Sequence, residues 1–219
     1  MTYTIPLLAF LHLLIPIYWL GGDLGAFYGS TFMTDPKRSV AERMMALKIL
    51  NNIDMAPRTA LILALPTGVM LGWAKGWLPI PGVAVAALVA ACLVWLVLAW
   101  VVHLQHGGGG AIKRIDIIIR YVALIGLGLT GIGGLAGIVA VPFFIAVKMC
   151  ILAACVTLGL IVRVQLVPLF GAIRTMVATG PTPETDAVIA AVNGRARISV
   201  LTIWVLVLSA SFLGLATPV

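Results

Sequence analysis

Six long apolar segments constrain this chain more than any other feature of its sequence. Because about 20 helical residues cross the hydrocarbon core of a bilayer, each segment is long enough to span a membrane. The sequence therefore predicts an all-α, polytopic transmembrane helix bundle with six helices, in a single domain. The predicted spans lie near residues 5–29, 57–76, 82–103, 117–138, 141–165 and 198–215.

Two further helices are predicted outside the spans. Ser39 and Glu42 match a capping box, and the apolar residues that follow at helical spacing indicate an amphipathic surface helix near 39–53. Residues 179–193 are expected to form a loop and a short helix that begins at Thr182 or Pro183. Both segments are predicted on the cytoplasmic side of the membrane.

The composition excludes several classes of protein. Hydrophobic residues make up 62% of the 219 residues and charged residues only 10%, a balance that excludes a soluble globular domain. The net charge of +7 does not indicate a nucleic-acid partner, because most basic residues lie in loops between the spans. Cys92, Cys150 and Cys155 lie within apolar spans, so we expect them to pack there and not to form disulfides.

The basic residues also predict the orientation in the membrane. All 14 lysines and arginines except Lys75 and Lys148 lie in or beside the loops that follow the first, third and fifth spans. Because cytoplasmic loops carry an excess of Lys and Arg, both termini are expected outside the cytoplasm. No basic residue precedes Lys37, so we expect no cleaved signal peptide. The prediction is a multi-pass protein of the cell inner membrane.

The first span carries three side chains that are unusual in a membrane helix. At about 100° per residue, His12, Trp19 and Asp23 fall within about 20° of one another, so they share one face. An ionisable group is costly in hydrocarbon, and this face should therefore point into the protein. For Asp23 we expect an ion pair with Arg58 or Arg120, which begin neighbouring spans. The alternative is a role in proton uptake or in holding a carboxylate or propionate group of a ligand.

Three candidate ligands or proton carriers are predicted at one depth. His12 lies roughly 10 Å below the outer end of the first span, and Met70 and Lys148 lie at similar depths in the second and fifth. Imidazole ligates haem iron, methionine can take the opposite axial position, and a desolvated lysine can ligate a metal or carry protons. The simpler alternative is that His12 hydrogen-bonds to a neighbouring helix while Lys148 extends to the outer surface.

Other patterns give weaker signals. His103 and His106 are spaced to share a metal ion, although no third ligand is close in sequence. Met70 with Cys92 and Cys150 would supply soft ligands for copper(I). The fourth span is rich in glycine and contains a G-x-G-x-x-G match, but no strand precedes it, so we expect close helix packing and no dinucleotide site.

Motifs in three spans resemble a known superfamily. Residues 11–22 match L-H-L-L-x-x-x-Y-W-L-G-G, and a basic loop, Ala56-Pro57-Arg58 and a second span with Pro66 and Gly68 follow. Residues 143–153 read FFIAVKMCILA. These patterns resemble the superfamily of HemJ-type protoporphyrinogen oxidases and CopD-type copper proteins, above all its small uncharacterised membrane-protein members. The resemblance implies that His12 ligates haem, that Lys148 accompanies it, and that Trp19 and Arg58 line the pocket.

These observations lead to one expected function and two alternatives. We expect an integral membrane protein that holds haem b in the outer half of the bundle. Its role would be electron or proton transfer, or a redox reaction like that of HemJ. The expected reaction partner is a quinone or a porphyrin. The expected cofactor-binding residues are His12, Trp19, Arg58, Met70 and Lys148. Of these, His12 and Met70 are the expected iron ligands. The expected catalytic proton carriers are Lys148 and Asp23.

The alternatives come from other classes of protein. One is a copper or small-solute transport protein. The other is an accessory subunit without a cofactor. Membrane lipid is an expected partner in every case, together with a second copy of the chain or a larger membrane complex, and no nucleic-acid partner is expected.

Overall fold

The computed structural model describes residues 3–105 and 110–217, and its regular structure is helical throughout these ranges. Within them the chain forms eight α-helices. Six helical stretches in these residues are long and apolar enough to cross a membrane, which confirms the prediction of an all-α bundle with six spans. The helices are α1 (Thr4–Thr34), α2 (Val40–Ile53), α3 (Met55–Ala74), α4 (Gly82–Leu104), α5 (Gly110–Leu135), α6 (Phe143–Gln165), α7 (Val167–Thr179) and α8 (Pro183–Ala216).

The observed helices extend beyond the apolar segments at several ends. Helix α1 continues to Thr34, and α5 begins at Gly110, seven residues before the predicted start at 117. Helix α7 was not predicted. The expected separate short helix after Thr182 is wrong, because α8 runs without a break from Pro183 to Ala216. Hydropathy marks only the part of a helix that hydrocarbon surrounds, so it misses polar extensions into water.

The spans form a closed ring. Contacts join α1 to α3, α3 to α4, α4 to α5, α5 to α6, α6 to α8, and α8 back to α1. A smaller contact between α3 and α6 crosses the ring. The spans alternate in direction, so α1, α4 and α6 begin on the side of the bundle where α3, α5 and α8 end. We call this the far side, and α2 and α7 lie at the opposite end of the bundle.

A small helical unit, which we call the cap, covers that opposite end. The cap consists of α2, α7 and residues 183–192 of α8. Its core joins Leu47, Ile173, Met176 and Ile189 to Met33 at the end of α1. Both predicted N-terminal caps are present, since Ser39 and Glu42 form a capping box before α2 and Thr182 caps α8.

A buried arginine holds the cap to the first span. The Arg43 side chain is fully inaccessible to solvent. Its Nε donates to the Met33 carbonyl at 2.8 Å, and its Nη1 pairs with Asp186 Oδ1 at 2.7 Å. One side chain of α2 therefore joins the end of α1 to the start of α8.

The glycines of α5 that face α6 allow these two helices to pack closely. A Cβ on Gly131 would lie 2.6 Å from Cys150 Sγ, and a Cβ on Gly134 would lie 2.8 Å from the Ala146 Cβ. By contrast, nothing lies within 4 Å of such an atom on Gly126 or Gly128. The predicted use of the glycine-rich span for close packing therefore applies to Gly131 and Gly134.

Replacement of Gly131 by valine should destabilise the bundle. The added side chain would overlap α6, and overpacking of this kind costs about 1–3 kcal/mol. Gly126→Val is the matched control, because its side chain would enter open space. We expect a lower thermal unfolding midpoint in detergent for Gly131→Val alone. Equal midpoints for the two variants would contradict close packing at Gly131.

Candidate functional site

A cavity of about 520 Å³ lies on the far side of the ring, between α1, α3, α6 and α8. Its walls are mainly aliphatic and aromatic, and its volume is that of a site for a small molecule or cofactor. Three of the predicted site residues line it, namely His12, Trp19 and Lys148. Helix α8 supplies a wall that sequence analysis did not assign to the site, including Ser211 and Gly214.

A hydrogen bond to the next helix fixes the His12 imidazole. His12 Nδ1 lies 2.8 Å from Thr67 Oγ1 on α3. The Thr67 hydroxyl donates its only proton to the Leu63 carbonyl, at 2.6 Å, so it accepts from His12. The imidazole is therefore assigned the tautomer with hydrogen on Nδ1, and Nε2 keeps its lone pair. This is the state in which a histidine binds a metal.

Two further residues shape the surroundings of the imidazole. A Cβ on Gly68 would lie 3.1 Å from His12 Cε1, so the ring packs closely against a part of α3 that has no side chain. Pro16 lies one helical turn after His12 and also lines the cavity. Because proline has no amide hydrogen, the His12 carbonyl lacks its usual helical donor. The backbone of α1 is thus less constrained where it carries the histidine.

Lys148 reaches from α6 to the end of α8. Its Nζ lies 2.9 Å from where a Cβ on Gly214 would be, so the ammonium packs against the last turn of α8. The carbonyl end of a helix carries partial negative charge, which favours a cation there. None of the ion pairs formed by the described residues includes Lys148. The Lys148 side chain thus lines the cavity and extends toward the far end of α8, in the direction that the simpler alternative expected.

Trp19 forms part of the inner end of the cavity. It is 5% exposed and packs in a cluster with Ala60, Leu61 and Cys155. These residues separate the cavity from the half of the bundle nearer the cap. Of the three side chains predicted to share one face of α1, His12 and Trp19 therefore line one cavity, whereas Asp23 lies beyond it.

The expected ion pair between Asp23 and an arginine is wrong. Arg58 pairs with Asp54, one turn before it on the chain, and Arg120 pairs with Asp116. The Asp23 carboxylate is 7% exposed and accepts a hydrogen bond from Trp204 Nε1 of α8, at 3.1 Å. Both arginines have a carboxylate within their own helical turn, which is a nearer partner than one on α1.

Arg58 and Met70 also lie outside the cavity wall. Met70 packs between α3 and α4, beside Val69, Leu78 and Val85. Gly68 of α3 faces the imidazole, and Met70 follows it by two residues. Because two residues correspond to a rotation of about 200° around a helix, the Met70 side chain points away from His12. Met70 therefore lies at a depth similar to that of His12 but does not face the cavity, where an iron ligand was expected.

The soft side chains proposed as a copper path are separated. Cys92 packs in a cluster with Ile62 and Trp95, whereas Cys150 lies against Gly131. In residues 3–105 and 110–217, no three His, Cys, Asp or Glu side chains are grouped to hold a metal ion. His103 packs edge-on against Trp100, and His106 lies outside the described residues.

A buried ion cluster near the cap escaped the sequence analysis. The Asp116 carboxylate, 1% exposed, accepts from Arg120 Nε at 3.0 Å, Arg163 Nη2 at 3.2 Å and Trp95 Nε1 at 3.2 Å. It therefore joins α4, α5 and α6. The spacing of Asp116 and Arg120, four residues apart, could have indicated this ion pair. Asp116 lies just before the predicted apolar segment, so it was not counted among the charged residues of the span.

Comparison with known proteins adds no relative. No protein-family model matches the sequence, and no curated protein or solved structure is significantly similar to the chain. The resemblance to the HemJ-type and CopD-type superfamily therefore remains a prediction from short motifs. The arrangement of the cavity is the stronger basis for a functional proposal.

Substitution of Asp116 by asparagine should be strongly destabilising. It would leave two arginines of the buried cluster without a carboxylate, and breaking a buried pair in this way costs about 3–5 kcal/mol. Asp54→Asn, at the half-exposed pair with Arg58, is the matched control and should cost under about 1 kcal/mol. The unfolding midpoints of the two variants in detergent measure the difference. Similar losses in both would show that the cluster is not a main support of the fold.

Proposed function

We propose that the protein is an integral membrane haem b protein whose iron is ligated by Nε2 of His12. The observation that carries this proposal is the hydrogen bond from His12 Nδ1 to Thr67, made at the wall of an apolar cavity. It orients the imidazole and leaves one nitrogen with a free lone pair. Histidines that ligate metals typically donate their other ring hydrogen to a neighbouring acceptor in this way.

The residues of the cavity fit a haem group. Aromatic and aliphatic side chains such as Phe10, Trp19, Phe144 and Leu152 suit the faces and edges of a porphyrin. One imidazole is sufficient for a haem, whereas a metal held by side chains alone needs three or four donors. Lys148, in the same wall, is another side chain able to ligate iron or carry a proton. The bound haem would supply one-electron chemistry.

The chain itself has four tasks in this proposal. His12, held by Thr67, binds and orients the group. The cluster around Trp19 keeps water and protons from crossing the membrane beneath it. Lys148 holds or releases a proton at Nζ beside the wall of α8. Asp23, which the Trp19 cluster separates from the cavity, would exchange a proton with the cap end of the bundle only. Its hydrogen bond from Trp204 keeps it turned toward α8.

The proposed setting is a cell inner membrane with both termini outside. The cap then lies in the cytoplasm, together with most lysines and arginines, and the cavity lies in the outer half of the bilayer. A quinone or a porphyrin is the proposed reaction partner, because both dissolve in the membrane. A second copy of the chain or a larger membrane complex is a further proposed partner.

Replacement of His12 by alanine should remove the haem. We expect the wild-type protein to show a stoichiometric b-type signal in the oxidised-minus-reduced spectrum and in pyridine haemochrome assays, and His12→Ala to lose it. His103→Ala is the matched control, since His103 lies outside the cavity wall. Added imidazole should restore the spectrum of His12→Ala. A variant that is purified at wild-type yield with its full haem content would contradict the proposal. A colourless, copper-free wild type would favour the accessory-subunit alternative.

Loss of the Thr67 hydroxyl should weaken haem binding. In Thr67→Val the hydrogen on His12 Nδ1 has no acceptor, and loss of such a partner typically costs about 10–100-fold in metal affinity. Thr130→Val is the control, because the Thr130 hydroxyl bonds only to a carbonyl of its own helix. Haem titration of the two purified proteins measures the effect. Equal affinities would show that Thr67 does not position the ligand.

A further inference from the structure

The ionisable side chains of the cavity wall are unbalanced in charge. In the part of the chain that the structure describes, the wall contains Lys75 and Lys148 but no aspartate or glutamate. Neither lysine belongs to any of the ion pairs formed by the described residues. A cavity of this kind attracts anions.

The two lysines occupy successive depths. Lys75 is the residue that follows α3, at the mouth of the cavity, and its Nζ lies 4.4 Å from the centre of the Trp77 ring. Trp77 in turn packs edge-on against Phe144 at the start of α6. The Cα atom of Lys148 lies four residues further along α6, about 6 Å deeper, and its Nζ extends to Gly214 in the last turn of α8. An acid group that enters beside Trp77 therefore meets one exposed cation and then one half-buried cation.

The rest of the wall limits what kind of anion can bind. Below Lys148 the lining is apolar, apart from His12 and a few small polar groups. A small inorganic anion would lose its hydration there without enough donors to replace the lost hydrogen bonds. A molecule with an apolar body and terminal carboxylates fits both parts of the cavity, because charge-assisted hydrogen bonds form only at the lysine end.

We propose that the cavity selects its ligand by carboxylate groups, which lie between Lys75 and Lys148 while the apolar body extends toward His12 and Trp19. This inference rests on the proposed function only for the source of the carboxylates, which are the propionates of the haem. A free fatty acid presents the same chemistry, and the experiment separates the two sources.

The test compares three probes on the purified protein in phosphatidylcholine nanodiscs. The probes are haem b, haem b dimethyl ester, in which both propionates are blocked, and palmitate. Binding is followed by the haem absorbance and by quenching of tryptophan fluorescence. The variants are Lys75→Gln, Lys148→Gln and the double variant. Lys113→Gln is the matched control, because Lys113 is exposed at the cap end of α5.

We expect the wild type and Lys113→Gln to bind haem b about tenfold or more tighter than its ester, a difference that a lost charge-assisted hydrogen bond accounts for. The double variant should bind both equally. If the wild type binds ester and haem equally, carboxylate selection is wrong and haem ligation by His12 stands. If palmitate alone binds, in a manner that depends on the lysines, the haem proposal fails and carboxylate selection stands. If no probe binds, both are wrong.

Discussion

The low dielectric of the bilayer governs this structure, because a polar side chain away from water needs a partner within the protein. Several of the described membrane helices meet this need through another helix. His12 of α1 bonds to Thr67 of α3, Asp23 of α1 accepts from Trp204 of α8, and Asp116 of α5 binds Arg163 of α6. These polar contacts lie between neighbours in the ring. They favour one rotational setting of each helix, which apolar packing alone specifies less well.

Much of the fold could be predicted from the sequence, because membrane helices are long and uniform in composition. Hydropathy located all six spans, and the capping box at Ser39 placed the start of α2. Close packing of α5 was predicted from its glycines, since residues without bulk allow it, but its partner α6 was not predicted. The same reasoning did not separate Gly131 from Gly126, because composition does not say which face meets a neighbour.

The candidate site was harder to predict, because it depends on rotation as well as depth. His12 and Lys148 were placed at one level and do line one cavity. Met70, at a similar level, turns toward α4. Thr67 is an ordinary residue in sequence, and only its position opposite the imidazole gives it a role. The arginine expected for Asp23 found a nearer carboxylate, which a pattern of single charges does not reveal.

The unbroken course of α8 has a mechanical consequence. Asp186, near its start, is bound to Arg43 of the cap, and Gly214, near its end, supports Lys148. Proline interrupts the hydrogen bonds of α1 and α3, but none lies inside α8. At 1.5 Å per residue these two points are about 42 Å apart, so a tilt of about 5° would move one by about 4 Å relative to the other. A tilt of this continuous helix would therefore couple the position of the cap to that of the cavity wall beside Lys148.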